Sequence, residues 1–153
     1  MRTKADKTSY LCETYDKAGK MLPSDPVRRA KVRQWVHAAE ATFALHALAI
    51  LYARWNIKDA PEKTVEAAEE RMSANVQNDM SWLETELSFS QSRFLFGDHV
   101  TAADIMMQFS AEFILARELG TNGKEWPNVN KWLEACKNEE GYKKAVERTG
   151  HKL

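Results

Sequence analysis

The sequence FLFGDHVTAADI, residues 94–105, contains a turn followed by a helix start. Its apolar run breaks at Gly97-Asp98, and an apolar helix can begin after Thr101. The Thr101 hydroxyl can accept a hydrogen bond from the Asp104 N–H, while the Asp104 carboxylate reaches back to the Thr101 N–H and meets the positive end of the helix dipole. The stretch therefore predicts a capping box. Because this helix start is expected to be buried, replacing Asp104 by alanine should cost about 1–2 kcal/mol.

The composition is that of one globular domain. The chain has 153 residues, 22 basic and 22 acidic, and five tryptophans. A chain of this length can bury roughly two thirds of its unfolded surface, so it needs no disulfide or metal for stability. The balanced charge argues against a nucleic-acid binder of the basic kind. We therefore expect a hydrophobic core and no nucleic-acid partner.

Cysteine usage and the first residues bear on the compartment. Cys12 and Cys136 form no C-x-x-C pair and have no nearby histidine ligand, which predicts two free thiols rather than a metal site or a disulfide. The start of the sequence is charged, and no sufficiently long apolar stretch follows it. We therefore expect neither a signal peptide nor a membrane span, no membrane partner, and a cytoplasmic location.

A long helix is predicted from Pro26 to about Trp55, with Asp25 as its N-cap. It carries two apolar stripes at helical spacing. The first consists of Val32, Val36, Ala39, Phe43 and Ile50, and the second of Ala38, Ala41, Leu45, Leu48 and Tyr52. Such a helix should be covered on two sides, once by its own domain and once by a partner subunit or another domain.

The remaining pattern is also helical. Apolar residues recur every three or four positions from Val65 to Leu87, and a segment from Ala102 to Leu119 is apolar around most of its circumference. The second segment should be the buried centre of the bundle, with Gly120 as its C′ residue. Pro127 suits the start of a short helix, and a last amphipathic segment contains Tyr142. No strand pattern appears, so the predicted fold class is all-α.

Several of these phrases resemble cytosolic glutathione transferases. Residues 94–105 are similar to a family segment, roughly Leu-x-Gly-Asp-x-x-Thr-x-Ala-Asp-Ile, that opens the central helix of the C-terminal domain. Residues 25–40 resemble the fourth helix of the family, and residues 126–133 resemble its Pro-Asn-x-x-x-Trp-Leu helix. The resemblance covers about Tyr10 to Arg148 and is of the fungal or bacterial type. It implies a right-handed helical bundle over residues 25–153, preceded by a remnant helix and linker over residues 1–24.

The resemblance also implies what the chain lacks. A complete glutathione transferase begins with a thioredoxin-like domain that supplies the tyrosine, serine or cysteine activating the thiol, and no such segment precedes residue 25. We therefore predict that this domain is absent and that the chain is weak or inactive alone. Glutathione would act as co-substrate only if a thioredoxin-like domain is supplied.

Candidate binding residues follow one face of the long helix. His37, Ala41, Ala44 and Leu48 lie at i, i+4, i+7 and i+11, with small residues where a groove needs room. In the family this face looks toward glutathione and the acceptor substrate, and Phe113 would join it. We therefore predict a site for a small hydrophobic ligand, although a lone helical histidine is more often a surface or dimer-contact residue. No metal site and no catalytic residue are predicted.

Two other features leave alternatives open. Cys12 is a nucleophile by type, but nothing near it in sequence would lower its thiol pKa, which favours an idle thiol. Arg28, Arg29, Lys31 and Arg33 crowd the first turns of the long helix, where positive charge opposes the helix dipole. They could contact an anion or an acidic partner, or they could form a solvated face.

Two hypotheses for function follow from the resemblance. The chain could contribute the hydrophobic acceptor-substrate wall of a glutathione-conjugating enzyme. Alternatively, it could be a non-catalytic interaction module, as this fold is in translation-factor and synthetase complexes.

Association is predicted from the doubly apolar helix. We expect an isologous homodimer through the Pro26–Trp55 and Lys63–Leu87 helices, which a Val36→Glu change should disrupt. The competing outcome is a monomer in which a helix from Lys4 to Asp16 covers the groove through Tyr10, Leu11 and Tyr15.

Overall fold

The computed structural model describes residues 3–57, 59–90 and 92–151. The ends of the predicted segments 1–24 and 25–153, at residues 1–2 and 152–153, lie outside the described residues. Within the described ranges the helices are α1 (Lys4–Tyr15), α2 (Pro26–Ala38), α3 (Leu45–Asn56), α4 (Glu62–Ser90), α5 (Ala102–Ala116), α6 (Pro127–Lys137) and α7 (Glu140–Thr149). These ranges contain no strand, only an isolated bridge between Phe94 and Gly97. The prediction of an all-α fold is confirmed.

The long helix predicted from Pro26 is continuous but not uniform. Asp25 caps it as predicted, because its Oδ1 accepts a hydrogen bond from the Arg28 N–H at 2.8 Å. Between α2 and α3, however, Ala39–Ala44 forms a π-helical segment, with wider turns than an α-helix. The Ala39 carbonyl accepts a hydrogen bond from the Ser110 hydroxyl at 2.9 Å, which ties the π segment to α5. The sequence predicts the extent of this helix and misses its π segment.

The two apolar stripes of the long helix have different surroundings. The first stripe, Val32, Val36, Ala39, Phe43 and Ile50, is buried throughout. In the second stripe Leu45 is 58% exposed and Tyr52 is 50% exposed, and Trp55 beside them is 60% exposed. The helix therefore buries one side in its own domain and leaves an apolar face open to solvent.

By length and composition alone, the continuous helix Pro26–Asn56 could cross a membrane. This corrects the expectation that no apolar stretch is long enough. A single helix of this kind is weak evidence, because the core helix of a soluble protein meets the same criteria. Here the Val32-to-Ile50 stripe packs into the core of the bundle.

The central helix α5 is anchored by Asp104, whose side chain is 0% exposed. Its Oδ2 accepts hydrogen bonds from the Thr101 N–H at 2.9 Å and the Thr101 hydroxyl at 2.7 Å. Its Oδ1 accepts from the Leu95 N–H at 2.9 Å and the Trp132 Nε1–H at 3.0 Å. The predicted capping box is present. The same carboxylate also joins the preceding turn and α6 to the start of α5.

Helix α5 ends earlier than predicted. It stops at Ala116 rather than Leu119, and the left-handed residue that follows its cap is Glu118, with φ of 49°, not Gly120. The physical reason is a Schellman motif, in which the Leu119 N–H donates to the Ile114 carbonyl at 3.0 Å and the Glu118 N–H donates to the Leu115 carbonyl at 3.2 Å. The Arg54 guanidinium also donates to the carbonyls of Arg117 at 2.9 Å and Glu118 at 2.8 Å. Arg54 also forms an ion pair with Glu69, so this cluster joins α3, α4 and the end of α5.

Helix α1 packs on α5, but not through the residues considered from the sequence. Tyr10, Leu11 and Tyr15 are exposed. Instead Ala5 is buried, and the Thr8 hydroxyl donates to the Met106 sulfur at 3.2 Å. These two residues lie three positions apart and therefore share one helix face, whereas the aromatic residues lie on another.

Candidate functional site

An apolar groove lies between α1, the π segment with the start of α3, and α5. Its volume is about 620 Å³, which is in the range of small-molecule sites, roughly 300–1,000 Å³. Its apolar lining residues are Ala44, Leu48, Ile105, Met106, Phe109 and Phe113. Its polar lining residues are Lys4, Lys7, Thr8, Glu40 and Ser110.

The α5 wall of the groove is a regular stripe. Ile105, Phe109 and Phe113 follow one another at intervals of four residues, so they share one face of the helix. The rings of Phe109 and Phe113 stack with centroids 6.3 Å apart and an interplanar angle of 6°. Ile105 is 51% exposed and both phenylalanines are partly exposed. This face therefore presents aromatic surface that the domain itself leaves partly uncovered.

The π segment forms the opposite wall and one end. Ala44 leaves room where a larger side chain would fill the groove, and Leu48 continues the wall one turn later. The Glu40 carboxylate accepts hydrogen bonds from the Lys4 and Ala5 N–H groups, each at 2.9 Å. Since free N–H groups at a helix start carry partial positive charge, this carboxylate both caps α1 and neutralises that charge. Glu40 thereby fixes α1 over the end of the groove.

Helix α1 supplies the third, polar edge. The Lys4 Nζ lies 3.5 Å from the centroid of the Phe109 ring, a cation–π contact. Lys7 lies one turn further along α1 and is exposed. The hydroxyls of Thr8 and Ser110 already donate within the protein, to the Met106 sulfur and the Ala39 carbonyl. The groove is thus apolar along its length and cationic at its α1 edge.

Three of the five predicted binding residues come together here. Ala44, Leu48 and Phe113 line the groove, whereas His37 and Ala41 are exposed and do not. The spacing of His37, Ala41, Ala44 and Leu48 assumes an unbroken α-helix. His37 precedes the π segment, Ala41 and Ala44 lie within it and Leu48 follows it, so the wider turns change the directions of these side chains and the four no longer share one face.

The sequence predicted none of the five polar groove residues and only part of the apolar wall. Ile105 and Phe109 carried a signal that could have found them, because they precede Phe113 at intervals of four. Glu40, Lys4 and Lys7 carried none. Glu40 lies 36 positions from Lys4 in sequence, so only the folded chain brings the carboxylate to the start of α1.

Neither thiol is suited to nucleophilic chemistry. Burial raises the pKa of the Cys12 thiol, and the nearby carboxylates of Asp16 and Glu13 raise it further. Burial is also the main cause that raises the pKa of the Cys136 thiol. Because the thiolate is the reactive form, these surroundings disfavour nucleophilic chemistry at both cysteines. Both are free in the described structure, as predicted.

The basic residues of α2 hold other parts of the chain. The Arg33 guanidinium donates to the Glu13 carboxylate at 2.6 Å, and Arg29 lies 3.7 Å from the same carboxylate. Arg28 donates to the Phe96 carbonyl at 3.2 Å. These three side chains join α2 to α1 and to the turn before α5, a role that neither sequence-based interpretation includes.

No group of three or more histidine, cysteine, aspartate or glutamate side chains among the described residues could hold a metal ion. The nearest arrangement is a pair, in which the His46 Nδ1 lies 2.6 Å from the Asp79 Oδ2 between α3 and α4. Burial raises the pKa of Asp79, and the contact with His46 opposes that rise. We interpret this pair as part of the α3–α4 packing.

The fold and the groove together define the class of this domain. It is all-helical, and its central helix begins with a buried capping box and forms one wall of an apolar groove. The family model "Glutathione S-transferase, C-terminal domain" matches residues 39–140 of the chain. This match covers more than half of the chain, and the chain therefore belongs to that family.

Similar proteins agree with this assignment. The chain is 25% identical over 127 residues to glutathione S-transferase tcpG of Claviceps purpurea, a match that covers 82% of this chain and 49% of the relative. It thus spans about half the length of that relative.

Solved structures show the same fold. A glutathione S-transferase from Actinobacillus pleuropneumoniae superposes with a TM-score of 0.76 at 21% identity, covering all of this chain and 66% of that one. Ure2p5 from Phanerochaete chrysosporium, crystallised with 1-(S-glutathionyl)-2,4-dinitrobenzene, superposes with a TM-score of 0.75 at 20% identity. That match covers 98% of this chain and 69% of Ure2p5.

Proposed function

We propose that this chain contributes the hydrophobic acceptor-substrate wall of a glutathione-conjugating enzyme. The observation that carries the proposal is the groove between α1, the π segment and α5, whose Phe109 and Phe113 rings are partly uncovered. Its volume of about 620 Å³ suits a small apolar molecule. Ala44, Leu48 and Phe113 are the proposed substrate-binding residues. His37 and Ala41 do not line the groove and are not part of the proposed site.

Glutathione would be the co-substrate, and a thioredoxin-like domain would have to hold it and activate its thiol. The groove offers little of that machinery, because its two hydroxyls donate elsewhere and Cys12 lies outside its lining. The chain alone should therefore conjugate weakly or not at all. Ure2p5 was crystallised with a glutathione conjugate of dinitrobenzene, which supports the choice of test substrate.

The test separates ligand binding from catalysis. The neutral apolar probe N-phenyl-1-naphthylamine should raise the melting temperature of the full chain, since it binds only the folded state. Ile105→Gln should reduce that rise, whereas Val27→Gln, which changes another exposed apolar residue outside the groove, should not. In parallel, the rate of glutathione conjugation to 1-chloro-2,4-dinitrobenzene should stay near background. No melting shift would contradict the acceptor wall, and turnover well above background would contradict the need for another domain.

We further propose that the chain forms a homodimer through the open face of the long helix, at Leu45, Tyr52 and Trp55. Single apolar residues scattered over a protein surface are common. Three large exposed ones on the same helix instead form an apolar patch of the kind that marks an interface. Val36 is buried in the core, so Val36→Glu would disturb the fold and cannot test this interface. Leu45→Glu is the suitable variant, and sedimentation should show a dimer converted to a species of 17.5 kDa.

The same open face also favours the alternative of a non-catalytic interaction module. If the wild-type chain sediments as a monomer and no apolar ligand binds, that alternative gains support. We propose a cytoplasmic location in either case, with no membrane or nucleic-acid partner.

A further inference from the structure

We propose that Lys4 and Lys7 make the groove selective for apolar ligands that carry an anionic group, such as a carboxylate or sulfonate. This inference rests on the proposed function and specifies the class of ligand that the groove accepts. The proposed selectivity depends on the α1 edge of the groove, which carries positive charge, whereas the other two walls are apolar.

The first step is the placement of the two cations. Lys4 and Lys7 are three positions apart on α1, so they share the helix face that also carries Thr8. Thr8 contacts Met106 in the groove lining, and the Lys4 Nζ lies over the Phe109 ring. Both lysines line the groove and are exposed, so their ammonium groups stand at its solvent edge.

The second step is the charge balance at that edge. Among the described residues that line the groove, Glu40 alone carries a carboxylate. Its two oxygens accept from the first N–H groups of α1, each at 2.9 Å, so its charge is directed at the helix start. Asp6 of the same helix accepts from the Thr3 N–H and is not among the lining residues. The edge therefore keeps net positive charge from its two lysines.

The third step is the match to a ligand. An apolar body can lie along Phe109 and Phe113, and an anionic end group can then reach the ammonium groups without being buried. Because the lysines stay in water, the attraction is modest and adds to burial of the apolar body. A neutral ligand of the same shape gains only the burial. The lysines of α1 should thus select ligands by their charge, and the aromatic wall of α5 should select them by their shape.

The experiment uses two fluorescent probes that differ in one group. The full chain is titrated with 8-anilinonaphthalene-1-sulfonate, which carries a sulfonate, and with N-phenyl-1-naphthylamine, which does not. Lys7→Gln and Lys4→Gln should each weaken sulfonate binding about threefold, as expected for one partly exposed ion pair. Binding of the neutral probe should change little. Lys143→Gln, which removes the same charge from α7 outside the groove, should affect neither probe.

Two controls keep the outcomes distinct. Salt should weaken binding of the sulfonate and not of the neutral probe, since about 1 M salt shortens the screening length to about 3 Å. Ile105→Gln should weaken both probes together. If both probes bind but the lysine variants do not change their affinity ratio, the charge selectivity is wrong and the acceptor wall stands. If neither probe binds, the acceptor wall fails and the selectivity fails with it.

Discussion

The two sides of α5 differ in how completely the domain covers them. On one side Asp104, Met107, Ala111 and Ile114 are buried, and the Asp104 carboxylate accepts four hydrogen bonds. On the other side Ile105, Phe109 and Phe113 are partly exposed along the groove. A single apolar helix therefore serves both purposes: its covered side stabilises the bundle, and its open side is available to a ligand. Changes on the two sides should consequently differ in kind as well as in size.

The largest effect is expected from Asp104→Ala. The change leaves the Leu95 N–H, the Thr101 N–H and hydroxyl and the Trp132 Nε1–H without their acceptor in a buried setting. We expect the free energy of unfolding to fall by about 3–5 kcal/mol. This exceeds the 1–2 kcal/mol expected for a capping box alone, because two partners lie outside the box. Urea unfolding followed by circular dichroism measures the loss.

Asp98→Ala is the control for that measurement, since Asp98 lies in the same turn and is exposed. It should change the unfolding free energy by less than about 0.5 kcal/mol. A loss at Asp104 no larger than the loss at Asp98 would mean that the buried side of α5 is not organised by this carboxylate.

Gly120→Ala should have a somewhat smaller effect than Asp104→Ala. Gly120 has φ of 68°, and an added Cβ would lie 2.6 Å from the Ile50 Cδ1 and 3.1 Å from the Ser73 Oγ. We expect a loss of about 2–4 kcal/mol from backbone strain and overpacking together. Gly123 has φ of 73° with nothing within 4 Å of its Cβ position, so Gly123→Ala isolates the backbone term at about 1 kcal/mol. Equal losses in thermal unfolding would rule out the close approach of Gly120 to the core.

A smaller, pH-dependent effect is expected from Glu69→Gln. The Arg54 guanidinium lowers the pKa of Glu69 by hydrogen bonding to its carboxylate, so the folded pKa lies below the unfolded value. Its stabilising contribution is therefore full above the unfolded pKa and is lost as the pH falls through the folded pKa. We expect a loss of about 1–2 kcal/mol at neutral pH that shrinks toward pH 3. A difference from wild type that stays constant with pH would contradict the ion pair.

The smallest effect on stability is expected on the groove side. Ile105 is 51% exposed, so Ile105→Gln should change the unfolding free energy by less than about 0.5 kcal/mol. Met107→Ala, two residues away on the buried side, should cost about 2–5 kcal/mol. Thermal unfolding compares the two variants directly. Similar losses would mean that the two sides of α5 are equally covered and that no open groove exists.

Local patterns predicted much of the fold. The helix starts at Asp25, Thr101 and Pro127 follow from capping residues and proline, which act within one turn of the chain. The end of α5 was misplaced because its Schellman motif puts Glu118, not a glycine, in the left-handed position. Glycine is the usual residue there, so the sequence pointed to Gly120 instead.

The site was predicted less completely for the same reason. Ala44 is the last residue of the π segment and Leu48 follows in α3, so their spacing was informative. His37 lies before the π segment, whose wider turns separate its direction from that of Ala44 and Leu48. Glu40 and the two lysines enter the site only because α1 packs on α5. A repeat of apolar residues every four positions, as in Ile105, Phe109 and Phe113, is the local pattern from which this wall of the site can be predicted.

The central claim is that the open side of α5, and not the open face of α3, receives the ligand. An NMR titration of the ¹⁵N-labelled full chain with N-phenyl-1-naphthylamine tests it directly. We predict that the backbone amide signals of Ala44, Leu48, Ile105, Phe109 and Phe113 shift together, with one saturation curve, while those of Tyr52 and Trp55 do not move. Shifts centred on Leu45, Tyr52 and Trp55, with the α5 signals unchanged, would contradict the claim.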